Sequence, residues 1–135
     1  MPPYNNWDVS LAQIGFPEKV LSTHKRVAGF ERERDILFRI VRADKLPPVV
    51  AVLIDRYTMG VADVIGVEAE FPGVTCVVTA GDWCAYTQEA KEHGYQQNVG
   101  VFNTSEFFGA LWHRDMVNYV RKDLLGRPTY AFRTA

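Results

Sequence analysis

The sequence predicts a single α/β domain built on a mixed sheet of four to five strands that is flanked by helices. Three apolar runs, 49–54, 74–79 and 99–102, have the pattern of buried strands, and stretches with helical periodicity separate them, which favours a parallel arrangement. A further run over 36–42 reaches the first of these through the short turn 43–48, which favours an antiparallel hairpin. At 135 residues, 47% hydrophobic and 23% charged, the chain is sufficient for one core, and its composition excludes a disordered tail or a coiled-coil rod.

The first predicted element is a helix over 17–28. Pro17 suits a first helical turn, Gly29 suits the position after the last turn, and apolar residues recur at helical spacing between them. The chain then divides into three parts, namely an N-terminal extension over 1–16, a core over 17–112, and a C-terminal helix and tail over 113–135.

Four further helices are expected after the hairpin. The first covers 60–70, and the second begins after Thr87 and stops near Gly94, because threonine is a favourable N-cap and glycine a favourable C-terminal stop. The third opens at 104 and runs to 111 or 112. The last covers about 115–125, and its apolar stripe consists of Met116, Val117, Val120 and Leu124. The tail from 129 is expected either to add an edge strand or to remain unpaired.

Charge is distributed in three blocks. Residues 25–45 carry seven basic and four acidic side chains, residues 46–110 carry two basic and eight acidic ones, and residues 111–135 carry five basic and two acidic ones. The total of −1 argues against a protein that simply coats nucleic acid, but an acidic centre between two basic segments is polarised. The basic segments are expected either to contact phosphates or to pair with the acidic block across the fold.

Polar residues follow each of the three buried strands. Because ligands of such sheets sit beyond the carboxyl ends of parallel strands, these residues are candidate binding groups. Arg56 could neutralise a phosphate, and Tyr57, Trp83 and Tyr86 could form an aromatic platform. The candidate binding residues are Arg56, Tyr57, Thr79, Asp82, Trp83, Tyr86, Arg121 and Lys122. The alternative is that they are ordinary polar strand ends, helix caps and turns.

A family resemblance lies in the segments 77–83 (VVTAGDW), 86–91 (YTQEAK) and 99–107 (VGVFNTSEF). They resemble the C-terminal part of restriction-endonuclease-like domains of the Mrr type. In that family a strand ending in Thr-Thr or Thr-Ser leads to an aromatic residue, a threonine and a helix with alanines. A last strand and a leucine-rich or phenylalanine-rich helix follow. The resemblance covers residues 74–111 and rests on pattern.

The resemblance implies a metal-dependent nuclease site in the upstream hairpin, with Asp35 and Asp55 as the candidate catalytic and Mg²⁺-binding residues. The family also needs Glu-x-Lys or Gln-x-Lys near the end of the second hairpin strand. Here that strand reads VLIDRY over 52–57, and no register supplies both the acid and the lysine. We therefore expect a degenerate active site that does not cleave, and the sequence establishes no cofactor.

The first functional hypothesis is a non-catalytic, nuclease-like module in nucleic-acid handling or assembly. The alternatives are a doubly wound ligand or signal domain that binds Mg²⁺ and a small phosphorylated ligand, or a structural subunit. A homo-oligomer or protein complex would form through the C-terminal helix. Cys76 and Cys84 are expected to be free thiols, and the absence of a secretory pattern or a long apolar run predicts a cytoplasmic protein without a membrane partner.

Overall fold

A computed structural model describes residues 5–81 and 83–134 of the chain. Its helices are α1 (Leu11–Thr23), α2 (Val61–Glu70), α3 (Gln88–Gln97) and α4 (Thr104–Ala110). Its longer strands are β1 (Val27–Glu33), β2 (Leu37–Arg42), β3 (Val49–Ile54), β5 (Cys76–Thr79) and β7 (Gly100–Asn103). Its two-residue strands are β4 (Thr58–Met59), β6 (Ala85–Tyr86), β8 (Arg121–Lys122) and β9 (Pro128–Thr129).

The five longer strands form one mixed sheet in the order β1-β2-β3-β5-β7. β2 is antiparallel to both β1 and β3, whereas β3, β5 and β7 run parallel to one another. The predicted fold class is therefore confirmed, including the antiparallel hairpin and the two helical crossovers. Two smaller sheets, β4 with β6 and β8 with β9, lie outside it.

Helices cover both faces of the sheet. The crossover helices α2 and α3 pack against each other, and Gly94 of α3 lies against Val101 of β7. α1 and α4 share the opposite face, where they line a narrow apolar cleft over Phe38, Leu53 and Val78. Both cysteines are buried and free. No helix within the described part of the chain is long and apolar enough to cross a bilayer.

The prediction of a helix over 17–28 is wrong in its bounds. α1 begins six residues earlier because Ser10 and Gln13 form a reciprocal capping box, and Pro17 lies inside the helix. Val27 already belongs to the edge strand β1, which the sequence analysis did not assign. Trp7, Val9 and Ile14 are buried in the core, so the segment 5–16 packs into the domain.

The expected stop at Gly94 is also wrong. α3 continues to Gln97 and ends where Asn98 adopts a left-handed conformation with a φ of 58°. A Cβ atom at Gly94 would lie 2.5 Å from the carbonyl oxygen of Val99 and 2.8 Å from a methyl group of Val101. Glycine therefore permits close packing of α3 on β7, which is a different role from ending a helix.

The prediction of a C-terminal helix over 115–125 is wrong. β8 pairs antiparallel with β9, and the intervening turn is held by Asp123, whose carboxylate accepts the backbone N–H groups of Leu125 and Arg127. The expected stripe does not exist, because Met116 is buried and Leu124 is fully exposed. Residues 115–125 therefore do not form the helix through which an interface was expected. The tail returns to the domain at Phe132, which bridges to Tyr86 of β6.

Candidate nucleic-acid interface

Asp35 and Asp55 lie at the same end of the sheet. Asp35 is in the turn from β1 to β2, and the next residue, Ile36, accepts the backbone N–H of Leu53 at 3.0 Å. Asp55 follows β3 directly, and its backbone N–H donates to Trp7 at 3.0 Å. The hairpin thus brings the two predicted carboxylates to one edge, which we call the carboxyl edge.

The residues at this edge do not fit a metal site of the kind that the resemblance implies. The Asp35 carboxylate already accepts from the Asn5 amide at 2.6 Å and from the Arg32 guanidinium at 3.2 Å. Near its end β3 presents Leu53 and Ile54, which are buried apolar residues, in place of a second acid and a lysine. Residues 5–81 and 83–134 contain no group of three or more His, Cys, Asp or Glu arranged to hold a metal ion.

Arg56 is engaged within the domain. Its guanidinium donates to Asp63 of α2 and to Asp8, each at 3.2 Å, and lies 5.1 Å from the centre of the Trp7 ring. The buried Thr79 hydroxyl bridges the backbone N–H and carbonyl of Arg56. Arg56 and Thr79 therefore join the N-terminal segment, β3, β5 and α2, which gives them a structural role.

Part of the predicted aromatic platform is exposed. Tyr57 and Trp83 are 63% and 72% exposed, and Arg133 joins them by stacking over the Tyr57 ring at 3.8 Å and donating to the carbonyl of Trp83 at 2.9 Å. Tyr86 does not belong to the platform, because it is completely buried and its hydroxyl donates to Glu106 at 2.8 Å. Asp82, the remaining predicted binding residue of this edge, lies outside the described residues.

Tyr86 and Glu106 are part of a buried polar cluster with Lys91. The ammonium group of Lys91 donates to the carbonyl of Val101 at 2.7 Å and lies 4.3 Å from the centre of the Phe102 ring. Burial lowers the pKa of Lys91 to about 8, although the charge of Glu106 opposes this shift. The cluster is closed to solvent and connects α3, α4 and β7.

The two basic segments of the sequence meet at the opposite edge of the sheet. The buried guanidinium of Arg42 donates to the carbonyls of Leu111 at 3.1 Å and His113 at 2.6 Å. Arg114 donates to the carbonyl of Lys45 at 3.4 Å. Cations that lie about 70 positions apart in the chain thus become neighbours, because α4 returns to the edge at which β2 ends.

Trp112 lies in the middle of this region and is 46% exposed. The Arg26 guanidinium lies 5.1 Å from the centre of its ring, and the His24 ring lies 5.2 Å from it. His24 is fixed in turn, because its Nδ1 accepts the backbone N–H of Arg26 at 3.0 Å and its Nε2 donates to Phe108 at 3.0 Å. The indole is therefore held in place with part of its surface open to solvent.

A groove of about 570 Å³ continues from this region, and Arg114, Arg121 and Lys122 line it together with Asp115 and Tyr119. Arg121 is anchored to the Ser105 hydroxyl of α4 at 2.5 Å, and Lys122 is exposed. We call the combined surface the basic face and define it by Arg26, Lys45, Trp112, Arg114, Arg121 and Lys122. Two carboxylates, Asp44 beside Arg26 and Asp115 in the groove, accompany its five cations.

Sequence reasoning identified Arg121 and Lys122 but missed the rest of this arrangement. It located the two basic segments by their charge, but nothing in their spacing indicated that they meet. Trp112 was not among the candidate binding residues. The signal that could have identified it is its position between a helix end and His113-Arg114, where the chain leaves the core.

Comparison of the chain with protein-family models, with curated proteins and with solved structures finds no match. The resemblance to Mrr-type domains therefore stays a prediction.

Proposed function

We propose that this protein is a nucleic-acid-binding module that does not cleave its ligand. The observation that carries the proposal is the meeting of two distant basic segments beside the partly exposed ring of Trp112. Arginine and lysine side chains bind phosphates and release counterions, and an aromatic ring offers a stacking surface to any base. A surface that combines cations with an exposed aromatic ring suits binding of a nucleic-acid strand or duplex with little preference for its sequence.

The competing possibility of a small phosphorylated ligand at the carboxyl edge has less support. Such ligands usually bind at a crevice where the order of the strands reverses. Here β3, β5 and β7 follow one another in chain order, and α2 and α3 pack side by side. Arg56, the cation expected to meet the phosphate, is held by Asp8 and Asp63.

A salt titration tests the proposal. We expect binding of fluorescently labelled duplex and single-stranded oligonucleotides, followed by anisotropy, to weaken steeply as salt rises. Each phosphate contact contributes about −0.9 to the slope of log K against log salt on duplex DNA, so three to five contacts predict a slope of roughly −2.7 to −4.5. The variant Arg114→Gln with Lys122→Gln removes two cations and should lower the magnitude of that slope by about two.

The matched control is Arg34→Gln with Arg39→Gln, which removes the same charge elsewhere. Arg34 lies in the β1–β2 turn beside Glu70, and Arg39 is exposed in β2 beside Glu33. The control should bind almost like the parent protein. If both double variants bind the oligonucleotide equally weakly, net charge alone determines the affinity. An affinity that does not change with salt concentration would contradict the proposal.

A further inference from the structure

The β8–β9 hairpin projects two leucines into solvent. Leu124 and Leu125 occupy the tip, where Leu124 is completely exposed and Leu125 is largely exposed. An exposed leucine gains no burial free energy in the folded protein, and here two adjacent leucine side chains form one apolar pair at the tip.

The tip is held rigidly. The Asp123 carboxylate accepts the backbone N–H groups of Leu125 and Arg127, each at 2.9 Å, and the Arg127 guanidinium at 3.0 Å. These bonds, led by the one from the Arg127 backbone, lower the pKa of Asp123. Gly126 has a φ of 79°, a conformation in which an L side chain is strained. The turn therefore presents the leucines in a fixed position.

The surroundings of the tip are cationic. Arg121 and Lys122 precede it in β8 and also line the groove of the basic face, and Arg127 follows it. The carboxylate of Asp123 is used within the turn. An apolar tip with cations at its base matches a ligand that combines a negatively charged surface with an apolar interior.

We propose that Leu124 and Leu125 form a wedge that enters the base stack of duplex nucleic acid bound on the basic face, at a step where stacking is already weakened. The proposal rests on the proposed function and names its substrate class. Proteins that insert leucine or similar side chains between base steps must supply the free energy of unstacking. Two leucine side chains recover a comparable amount on burial, so a mismatch or a nick, where unstacking costs least, is the preferred position.

A membrane surface is the competing ligand for an apolar tip with basic neighbours. Here the two cations that precede the tip, Arg121 and Lys122, line one groove together with Arg114. A groove lined by cations fits a linear polyanion, whereas a lipid surface is best met by cations in one plane. The observations therefore favour nucleic acid.

The experiment compares a perfect duplex with the same duplex carrying one mismatch next to 2-aminopurine, a base whose fluorescence rises on unstacking. We expect the parent protein to bind the mismatched duplex more tightly and to raise the fluorescence. The variant Leu124→Ser with Leu125→Ser should lose roughly tenfold in affinity for the mismatched duplex, equivalent to about 1.4 kcal/mol, and lose the fluorescence rise. Its affinity for the perfect duplex should change by less than about twofold.

The control is Leu11→Ser, which removes an exposed leucine from the start of α1 and should leave all signals unchanged. If the leucine double variant keeps both the mismatch preference and the fluorescence rise, the wedge is wrong and the proposed function stands. If the parent protein binds neither duplex, both proposals fall. If anionic phosphatidylserine vesicles retain the parent but not the double variant, and fluorescence does not rise with either, the tip is a membrane contact and the wedge is overturned.

Discussion

Lys91 is buried with its ammonium group bonded to one carbonyl oxygen and surrounded by aromatic rings. Its pKa in the folded protein, about 8, lies below its ordinary value of 10.5 because burial disfavours the charged form. The charged side chain therefore destabilises the fold, fully below pH 8, and this penalty disappears as the pH rises toward 10.5. The difference in pKa corresponds to about 3 kcal/mol.

The first prediction follows at the level of this residue. Between pH 7 and 9 the free energy of unfolding of the parent protein should rise by about 1 kcal/mol relative to Lys91→Met, which has no group to titrate there. Urea denaturation at several pH values measures this difference. The range stops at pH 9 because burial raises the pKa values of Tyr86, Tyr95 and Cys76, which lowers stability at higher pH. Parallel pH profiles for the two proteins would mean that Lys91 is not desolvated.

Individual residues at the strand ends could be located from sequence, but their partners could not. The sequence predicted where Arg56, Tyr57 and Thr79 fall, because apolar runs end just before them. It could not indicate that Asp8, 48 positions away, takes up the Arg56 guanidinium, or that Tyr86 turns inward to Glu106. Such contacts depend on how separate elements pack, and local pattern carries no information about them.

Among the elements, the buried strands and their crossover helices were predictable because each combines an apolar run with a turn or cap signal. β1 was missed because Val27 continued the helical spacing of α1 and the strand itself is half-exposed. The C-terminal helix was predicted from the spacing of apolar residues alone. The segment instead forms the β8–β9 hairpin, whose turn is held by the Asp123 carboxylate. Short polar hairpins give little periodic signal, so this error is a general one.

A pair of glycines in two helices gives the second prediction. Gly94→Ala should destabilise the protein by about 1–3 kcal/mol, because its Cβ would press on the Val99 carbonyl at the α3–β7 contact. Gly15→Ala in α1 is the matched control, since no atom lies within 4 Å of its Cβ position. It should stabilise the protein by roughly 0.5–1 kcal/mol. Thermal or chemical unfolding measures both, and a stabilised Gly94→Ala protein would refute the close contact.

At the scale of the whole molecule, the sequence predicted a polarised charge distribution but not the surface that it forms. The basic face exists because α4 carries the chain back to the edge where β2 ends, which brings Arg114 to Lys45. The acidic centre of the sequence is in part engaged within the fold, for example by the hydrogen bond between Glu68 and His93 and by those that Glu106 accepts from the Asn103 backbone and the Tyr86 hydroxyl. The number of charges along the chain indicates neither that the basic face forms nor which acidic side chains are engaged within the fold.

The third prediction concerns catalysis. A nuclease site would require different strands of the sheet to place carboxylates and a cation close together. The protein should not cleave duplex or single-stranded DNA or RNA with Mg²⁺ or Mn²⁺. Metal-assisted hydrolysis needs carboxylates that place the ion and a cation beside the attacking water. Here Asp35 is engaged by Asn5 and Arg32, and the end of β3 is apolar. A cleavage assay that compares the parent protein with the Asp55→Ala variant tests this prediction. Cleavage by the parent protein but not by the variant would show that the site is catalytic.

The position of β1 at the end of the sheet has a consequence for self-association. A strand with an open edge can pair with a strand of another molecule and so begin aggregation. β1 is a poor template for this, because its register shifts between Val27 and Gly29 and its second half, Glu31-Arg32-Glu33, is charged. Bulges and charged side chains are the usual means by which edge strands resist such pairing. This edge strand is therefore poorly suited to pair with a strand of a second molecule.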